Sequence, residues 1–425
     1  MRLLIAASLI FMAGMAGAPA VAQSVPPSPA ADVVDASTLD RKLLFGYQGW
    51  FACPHDESPA NRWWHWFHHG SAVATNANVD FWPDVSELGP DERFATEMTM
   101  LDGTPACVYS AFNQKTVVRH LKWMRDYDLD GVFLQRFVCE LPDKRFREIR
   151  DKVTESVRLG AEQYGRVFAI MYDISGANPA TLVKTLTNDW RHLTTLGVPN
   201  SPRYVHHHGK PVVAIWGFGF GSRPGSPEDA LAVIGFFKSA GLTVIGGVPP
   251  YWRTQKEESK AGAGWAKVYR SFDIIQPWMV GRFENWQGAD DFKRRVIVPD
   301  LAEARSLGVG YMPVVFPGFS WYNQKHGRLN QIPRHGGAFY WRQMQDVVSA
   351  GCTMAFGAMF DELDEGTAIF KVAPTRAELP AQGVFIPLDI DGQRLPSDWY
   401  LRVAGQAARM LRREISPQSP LPIRP

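Results

Sequence analysis

Residues 131–175 read GVFLQRFVCELPDKRFREIRDKVTESVRLGAEQYGRVFAIMYDIS. Both ends of this stretch, 131–137 and 167–175, are continuous apolar runs rather than alternating ones. Runs of that kind belong to strands buried on both faces, as in parallel sheets. Between them, residues 145–164 place Ile149, Val153, Val157 and Leu159 in a helical pattern. A buried strand, a helix and a second buried strand form one parallel crossover unit.

The same alternation extends in both directions. Short apolar runs bounded by Gly, Pro or Asp recur at 43–51, 131–137, 167–175, 211–219, 243–249, 272–280, 310–321 and 352–362. Helical spacing predicts helices over 114–128, 145–164, 181–196, 228–240 and 338–350, with Gly197 and Gly241 as stop signals. Eight buried strands alternating with helices in ~400 residues predict an α/β fold, a single (β/α)8 TIM-type barrel. A doubly wound open sheet is the rival. The stretch GFGFGS at 217–222 follows a strand but lacks the G-x-G-x-x-G spacing, so it is a loop of small and aromatic residues. No linker and no repeat divide residues 38–413, which are expected to form one catalytic domain. A lead-in over 23–37 and a Pro-rich tail over 414–425 are expected to be flexible.

Residues 1–22 combine Arg2, an apolar run from Leu3 to Met15, and an A-x-A-type site ending at Ala22. That pattern predicts a secretory signal peptide, with the mature protein periplasmic or secreted. No later stretch approaches ~20 uninterrupted apolar residues, so no membrane anchor is expected after cleavage.

The whole chain of 425 residues is 45% hydrophobic and 21% charged, which excludes global disorder. Its 45 Lys and Arg against 43 Asp and Glu give a net charge of +2. This balance offers no electrostatic reason for a nucleic acid partner or an anionic membrane, and a monomer is expected. The 15 Trp residues are a surplus that either fills a core or lines a site for a ligand with flat apolar faces.

Four cysteines remain, at 53, 107, 139 and 352. In an exported protein they permit three disulfide pairings. The turn-rich surroundings of Cys53 and Cys107 favour that pair, and Cys352 is expected as a buried thiol. The His tracts at 65–70 and 206–208 place neighbours on opposite faces, so neither makes a metal site alone. Residues 206–208 are expected in a solvated turn. No metal and no cofactor are expected.

In a barrel the active site lies at the C-terminal ends of the strands. Those ends carry Tyr47, Gln48 and Trp50; Gln135 and Arg136; Tyr172 and Asp173; Trp216; Trp278 and Arg282; Trp321 and Asn323. Sugars present C–H faces to aromatic rings and hydroxyls to planar donors and acceptors, so this mouth suits a poly- or oligosaccharide. After the last strand, MFDELDEGTAIFK (359–371) puts Asp361, Glu362, Asp364 and Glu365 within five residues. A helical turn would bring Glu362 and Glu365 to one side, where two carboxylates divide acid and base work over one glycosidic bond. An acidic helix start is the competing explanation.

The ordered series resembles glycoside hydrolase family 99 and the related family 71/99-like hydrolases. YQGWF (47–51) with RWWHWF (62–67) looks like the family's aromatic opening and brings in Trp64 and His65. PGFSW (317–321), Arg334 and GGAFYW (336–341) resemble the run from strand seven into its helix, and ELDEGT (362–367) resembles the family's E-x-x-E-G-T element. The resemblance implies a retaining, endo-acting barrel enzyme on α-linked, mannose-type polymers. By position, Glu362 would act as base on the substrate's 2-hydroxyl, giving a 1,2-anhydro sugar. Glu365 would be the general acid and then the general base. Tyr47, Trp50, Trp64, His65, Gln135, Arg136, Tyr172, Asp173, Trp216, Trp278, Arg282, Trp321, Asn323, Arg334 and Asp361 would bind substrate. Leu363 and Asp364 stand where the family usually has Trp and His, and Asp364 is expected to raise the pKa of Glu365. A family 71-like α-glucanase, another glycosidase chemistry on the same barrel, and a non-catalytic carbohydrate-binding barrel are the alternatives.

Overall fold

A computed structural model describes residues 33–425, so the expected signal peptide over 1–22 and most of the expected lead-in over 23–37 lie outside the described residues. Seven barrel strands are single pieces: β1 Leu43–Tyr47, β2 Gly131–Phe137, β3 Val167–Asp173, β4 Lys210–Trp216, β5 Thr243–Val248, β6 Ile274–Pro277 and, last, β8 Ala355–Gly357. The other, β7, is split into Gly310–Tyr311 and Val314–Val315. Each strand pairs in parallel with the next, and β8 pairs back onto β1 through Leu43 and Ala355. The first half of β7 pairs with β6 and the second with β8. Pro313 sits at the break and has no N–H to give a ladder. The closed ring is the expected (β/α)8 barrel.

Helices α1 Gln114–Asp126, α2 Lys144–Tyr164, α3 Leu182–Thr195 and α4 Pro227–Ser239 match the predicted segments to within a residue or two. Gly197 and Gly241 follow α3 and α4 in the left-handed region, at φ 72° and 82°, as helix stops should. The helix before β8, Ala338–Ser349, lies where periodicity put it. Buried apolar residues from Leu39 to Leu411 form one contiguous cluster.

Strand alternation decides which side chains face the barrel interior. Along β2, Gln135 points inward, where its amide reaches Met171 Sδ at 3.2 Å, and Phe133 meets Phe356 across the barrel. Its neighbour Arg136 points outward into the helix layer. That period of two, imposed at every strand end, sorts the candidate residues into two groups.

Three sequence expectations need correction. All four cysteines are free. Cys53 turns inward and donates to the Tyr109 carbonyl at 3.2 Å, while Cys107 lies on a peripheral hairpin strand, Pro105–Val108. Only His208 of residues 206–208 is an exposed turn residue: His206–His207 pairs antiparallel with β4, and buried His207 accepts from the Leu39 N–H. The Pro-rich tail is docked rather than flexible. The Ser419 carbonyl accepts from Trp341 Nε1 at 3.1 Å, and Ile415, Leu421 and Ile423 pack on the core. The Pro residues prevent a helix there but do not stop apolar side chains from finding a groove. Cys352, by contrast, is the buried thiol expected, its pKa pushed up to about 12 by burial.

Candidate active site

A cavity of about 600 Å³ opens at the C-terminal ends of the strands. Glu362 and Glu365 line it, with Trp50, Trp64 and His65 from the first loop, Gln135 from β2, Asp173 from β3 and Trp216 from β4. Trp278, Arg282 and Trp321 complete the predicted members. The aromatic walls are interlocked: Trp50 stacks on His65 at 3.8 Å and on Phe137 at 5.1 Å, and Trp216 meets Trp278 edge-on at 5.4 Å.

The six remaining candidates do not line the cavity. Tyr47, Arg136 and Tyr172 are the outward-facing members of their strands. The Tyr47 hydroxyl pairs with His120 at 2.9 Å. Arg136 donates from Nε to Asp189 at 2.7 Å and from Nη1 to Thr154 at 3.1 Å, and the Tyr172 hydroxyl donates to the same Asp189 at 2.9 Å. Asn323 donates to the Val79 and Val384 carbonyls, which ties loops together. Asp361 and Arg334 brace the segment that carries Glu362 and Glu365 from behind. Asp361 accepts from the Gln48 and Gly49 N–H groups at 2.7 and 2.9 Å, fastening the first loop to the last. Arg334 Nη2 donates to the Gly366 and Ala368 carbonyls at 2.8 and 2.7 Å.

The segment after β8 is a chain of turns, not a helix start. Its geometry explains the E-x-x-E-G-T spacing. Glu362 accepts from the Gln48 side-chain amide and from the Thr367 hydroxyl, the latter at 2.7 Å. Gly366 sits at φ 64°, and a Cβ there would come within 2.9 Å of the Ser320 nitrogen. Only glycine fits that bend. It lets the Glu365 carbonyl accept from the Ser320 N–H at 3.0 Å, next to Trp321. Leu363 and Asp364 turn away from the cavity and are fully buried. Asp364 lies 3.3 Å from His65 Nδ1 and 3.3 Å from Gln324 Nε2.

Burial pushes Glu365 up to about 7, with Asp364 adding to the rise, while Trp321, Arg223 and Lys325 pull it back. Glu362 is also raised, by burial and by repulsion from Glu365 and Asp364. Mutual repulsion makes such carboxylates lose their protons in separate steps. Burial drives His65 down to about 3, so it is a neutral ring at ordinary pH.

Gln48, next to the end of β1, also lines the cavity and faces inward as Tyr47 faces outward. Thr367 was visible in the motif. Glu140, Arg223 and Glu258 also line the cavity and carried no sequence signal, because they come from loops. Arg150 was hidden inside a helix pattern; it pairs with Glu140 at 2.6 Å and donates to the Gly49 carbonyl at 2.9 Å. Among the described residues, no group of three or more His, Cys, Asp and Glu is arranged to hold a metal ion. No described helix is long and apolar enough to cross a membrane.

This is a (β/α)8 barrel with a carboxylate-bearing, aromatic cleft at its mouth, and its fold is that of glycoside hydrolase family 99. The chain is similar to the GH99 endo-alpha-mannosidase from Bacteroides thetaiotaomicron, with a TM-score of 0.62 and 15% identity over 88% of this chain and 99% of that one. The same enzyme in complex with bis-tris-propane aligns with a TM-score of 0.61 and 14% identity, over 89% of this chain and 99% of that one. A structure described as a glycoside hydrolase-like protein aligns at TM-score 0.50 and 13% identity, covering 80% of this chain and 98% of that one. No protein-family model matches the sequence, and no curated protein matches it significantly.

Proposed function

We propose that the chain is an exported glycoside hydrolase that cleaves α-linked, mannan-like poly- or oligosaccharides with retention, through a 1,2-anhydro sugar. The observation that carries this reading is the joint placement of Glu362 and Glu365 on one aromatic cavity. Glu362 is raised by burial and by repulsion from Glu365 and Asp364, and two neutral hydrogen bonds, from Gln48 and Thr367, pull it part of the way back towards its ionised form. Glu365 has burial and the neighbouring Asp364 to keep a proton on it. Repulsion between the two makes them give up their protons in separate steps, and one ionised and one protonated carboxylate facing one ligand is the division of labour that glycosidic cleavage needs.

In the first step Glu362 takes the proton of the sugar's 2-hydroxyl. The freed oxygen attacks C1, the C1–O bond to the leaving sugar breaks, and Glu365 gives that oxygen its proton. In the second step Glu365 removes a proton from water, the water oxygen attacks C1, and the three-membered ring opens with the 2-oxygen regaining a proton from Glu362. Two inversions at C1 give net retention.

The cavity also offers unsatisfied polar atoms. Gln48 Oε1, Trp50 Nε1, Gln135 Oε1 and Trp216 Nε1 are buried and without hydrogen-bond partners among the described residues. Sugar hydroxyls would satisfy them, while the rings take the C–H faces. The fold shared with an endo-alpha-mannosidase supports the α-mannose class, and the signal-like segment at 1–22 supports export.

The deciding measurement uses two variants and two substrates. Glu365→Gln should lower kcat on an unactivated glycoside by about 10²-fold or more, because an alkoxide needs its proton. It should harm an activated aryl glycoside far less in the first step. Glu362→Gln should damage both alike. A 2-deoxy substrate cleaved at the normal rate would eliminate the anhydro intermediate.

A further inference from the structure

A second groove, of about 330 Å³, adjoins the catalytic cavity. Trp64 and His65 line both spaces. Beyond them the groove is formed by Arg62, Trp63, Phe67, His68 and Asn78. Trp63 is half-buried and packs edge-on against Phe67 at 5.2 Å. The exposed Arg62 guanidinium lies over the Trp64 ring at 4.3 Å and near Phe146 at 5.1 Å.

The floor of this groove is built, not a loose loop. Ala52 and Trp64 exchange backbone hydrogen bonds, and Asn78 donates its N–H to the Trp66 carbonyl at 3.0 Å. The Asn78 side chain donates to the His65 carbonyl at 2.7 Å, holding His65 in a left-handed backbone conformation. His68 takes its N–H to the Asn76 carbonyl at 2.8 Å. The groove is as large as a small-molecule site, which starts at about 300 Å³. It combines ring faces with planar donors, the same chemistry as the catalytic cavity.

We infer that this groove is an additional sugar-binding subsite, which holds a further unit of the same glycan whose bond is cut at Glu362 and Glu365. The inference rests on the glycosidase reading. The two shared residues name the occupant: a chain lying in the cavity that runs past Trp64 and His65 would reach the groove. Trp63 would take a C–H face of that unit and Arg62 its hydroxyls. The consequence is a preference for longer chains, with affinity that rises once the ligand is long enough to reach Trp63.

Linear α-linked manno- and gluco-oligosaccharides of two to six units, titrated calorimetrically into Glu365→Gln, test this. Affinity is expected to rise by about tenfold or more between the shortest ligand bound and the longest. Adding Trp63→Ala should abolish that gain and leave the affinity for the shortest ligand unchanged. Arg62 is exposed, so Arg62→Ala keeps the fold and should reduce the same gain in part; melting curves of both variants check the packing. A length gain that survives Trp63→Ala, or short ligands bound with no gain at all, overturns the subsite and leaves the glycosidase reading intact. If no member of the series binds, both fall.

Discussion

Arg136 and Trp321 both stand at the C-terminal ends of barrel strands, yet one faces the helix layer and the other the cavity. Arg136 is fully buried and holds Asp189 and Asp151 between the strand and helix layers. Replacing it by Met strands a buried carboxylate, so Arg136→Met should cost about 3–5 kcal/mol of stability. Substrate KM in the surviving folded fraction should barely change. Trp321 is 36% exposed at the cavity rim, so Trp321→Ala should weaken substrate binding while leaving the melting temperature nearly intact. Denaturation curves and Michaelis constants on both variants settle the contrast. Glu365 adds a prediction of its own. With its pKa raised to about 7, the acid form disappears above neutrality. Hydrolysis of an unactivated glycoside should therefore decline above about pH 7, and an activated aryl glycoside should not follow it through the first step.

The element that matters most is the turn segment from Asp361 to Ala368. It has no helix to stiffen it, and its shape comes from outside: Gln48 and Gly49 hold Asp361, Arg334 holds the Gly366 and Ala368 carbonyls, and Ser320 holds the Glu365 carbonyl. One buried aspartate performs the same service for the loop after β7. Asp80 accepts from the Tyr322 and Asn323 N–H groups at 2.8 and 2.7 Å, directly after Trp321. Gly366 is where these braces converge. Gly366→Ala forces a side chain into a left-handed bend and against the Ser320 backbone. The expected result is a loss of about 1 kcal/mol or more of stability, with a fall in kcat that exceeds any rise in KM. Equal kcat in the variant and the parent would show that the turn tolerates the shift.

Over the whole molecule, the site leaves a signature in the dependence of stability on pH. Asp361, Asp364 and Glu365 are each raised to about 7, chiefly by burial. A carboxyl whose pKa is higher in the folded chain binds more protons there than when unfolded. Its stabilising contribution is complete below the ordinary carboxylate pKa and is lost as pH rises through about 7. Carboxylates pulled down by partners, such as Glu140 beside Arg150, act in the opposite sense and lose their contribution only in acid. The melting temperature should therefore peak in mildly acidic solution and fall towards pH 8. Glu365→Gln should flatten that fall and melt about 2 °C or more higher than the parent at pH 8. Identical pH profiles for the two proteins would mean that Glu365 titrates normally.

The sequence by itself determined the barrel, because burial on both faces leaves continuous apolar runs and helical packing leaves its own period. Those signals are local and need no knowledge of neighbours. It also placed Glu362 and Glu365 on the final strand's loop, since the spacing of Glu, Gly and Thr is itself dictated by the bend at Gly366 and the bond from Thr367 to Glu362. It did not sort Gln135 from Arg136 or Asp173 from Tyr172, because an apolar run with both faces buried carries no mark of which face is the barrel interior. Loop residues such as Glu140 and Arg223 were beyond its reach for a different reason. Their meeting depends on where separate loops land on a closed ring, and only the tertiary structure fixes that.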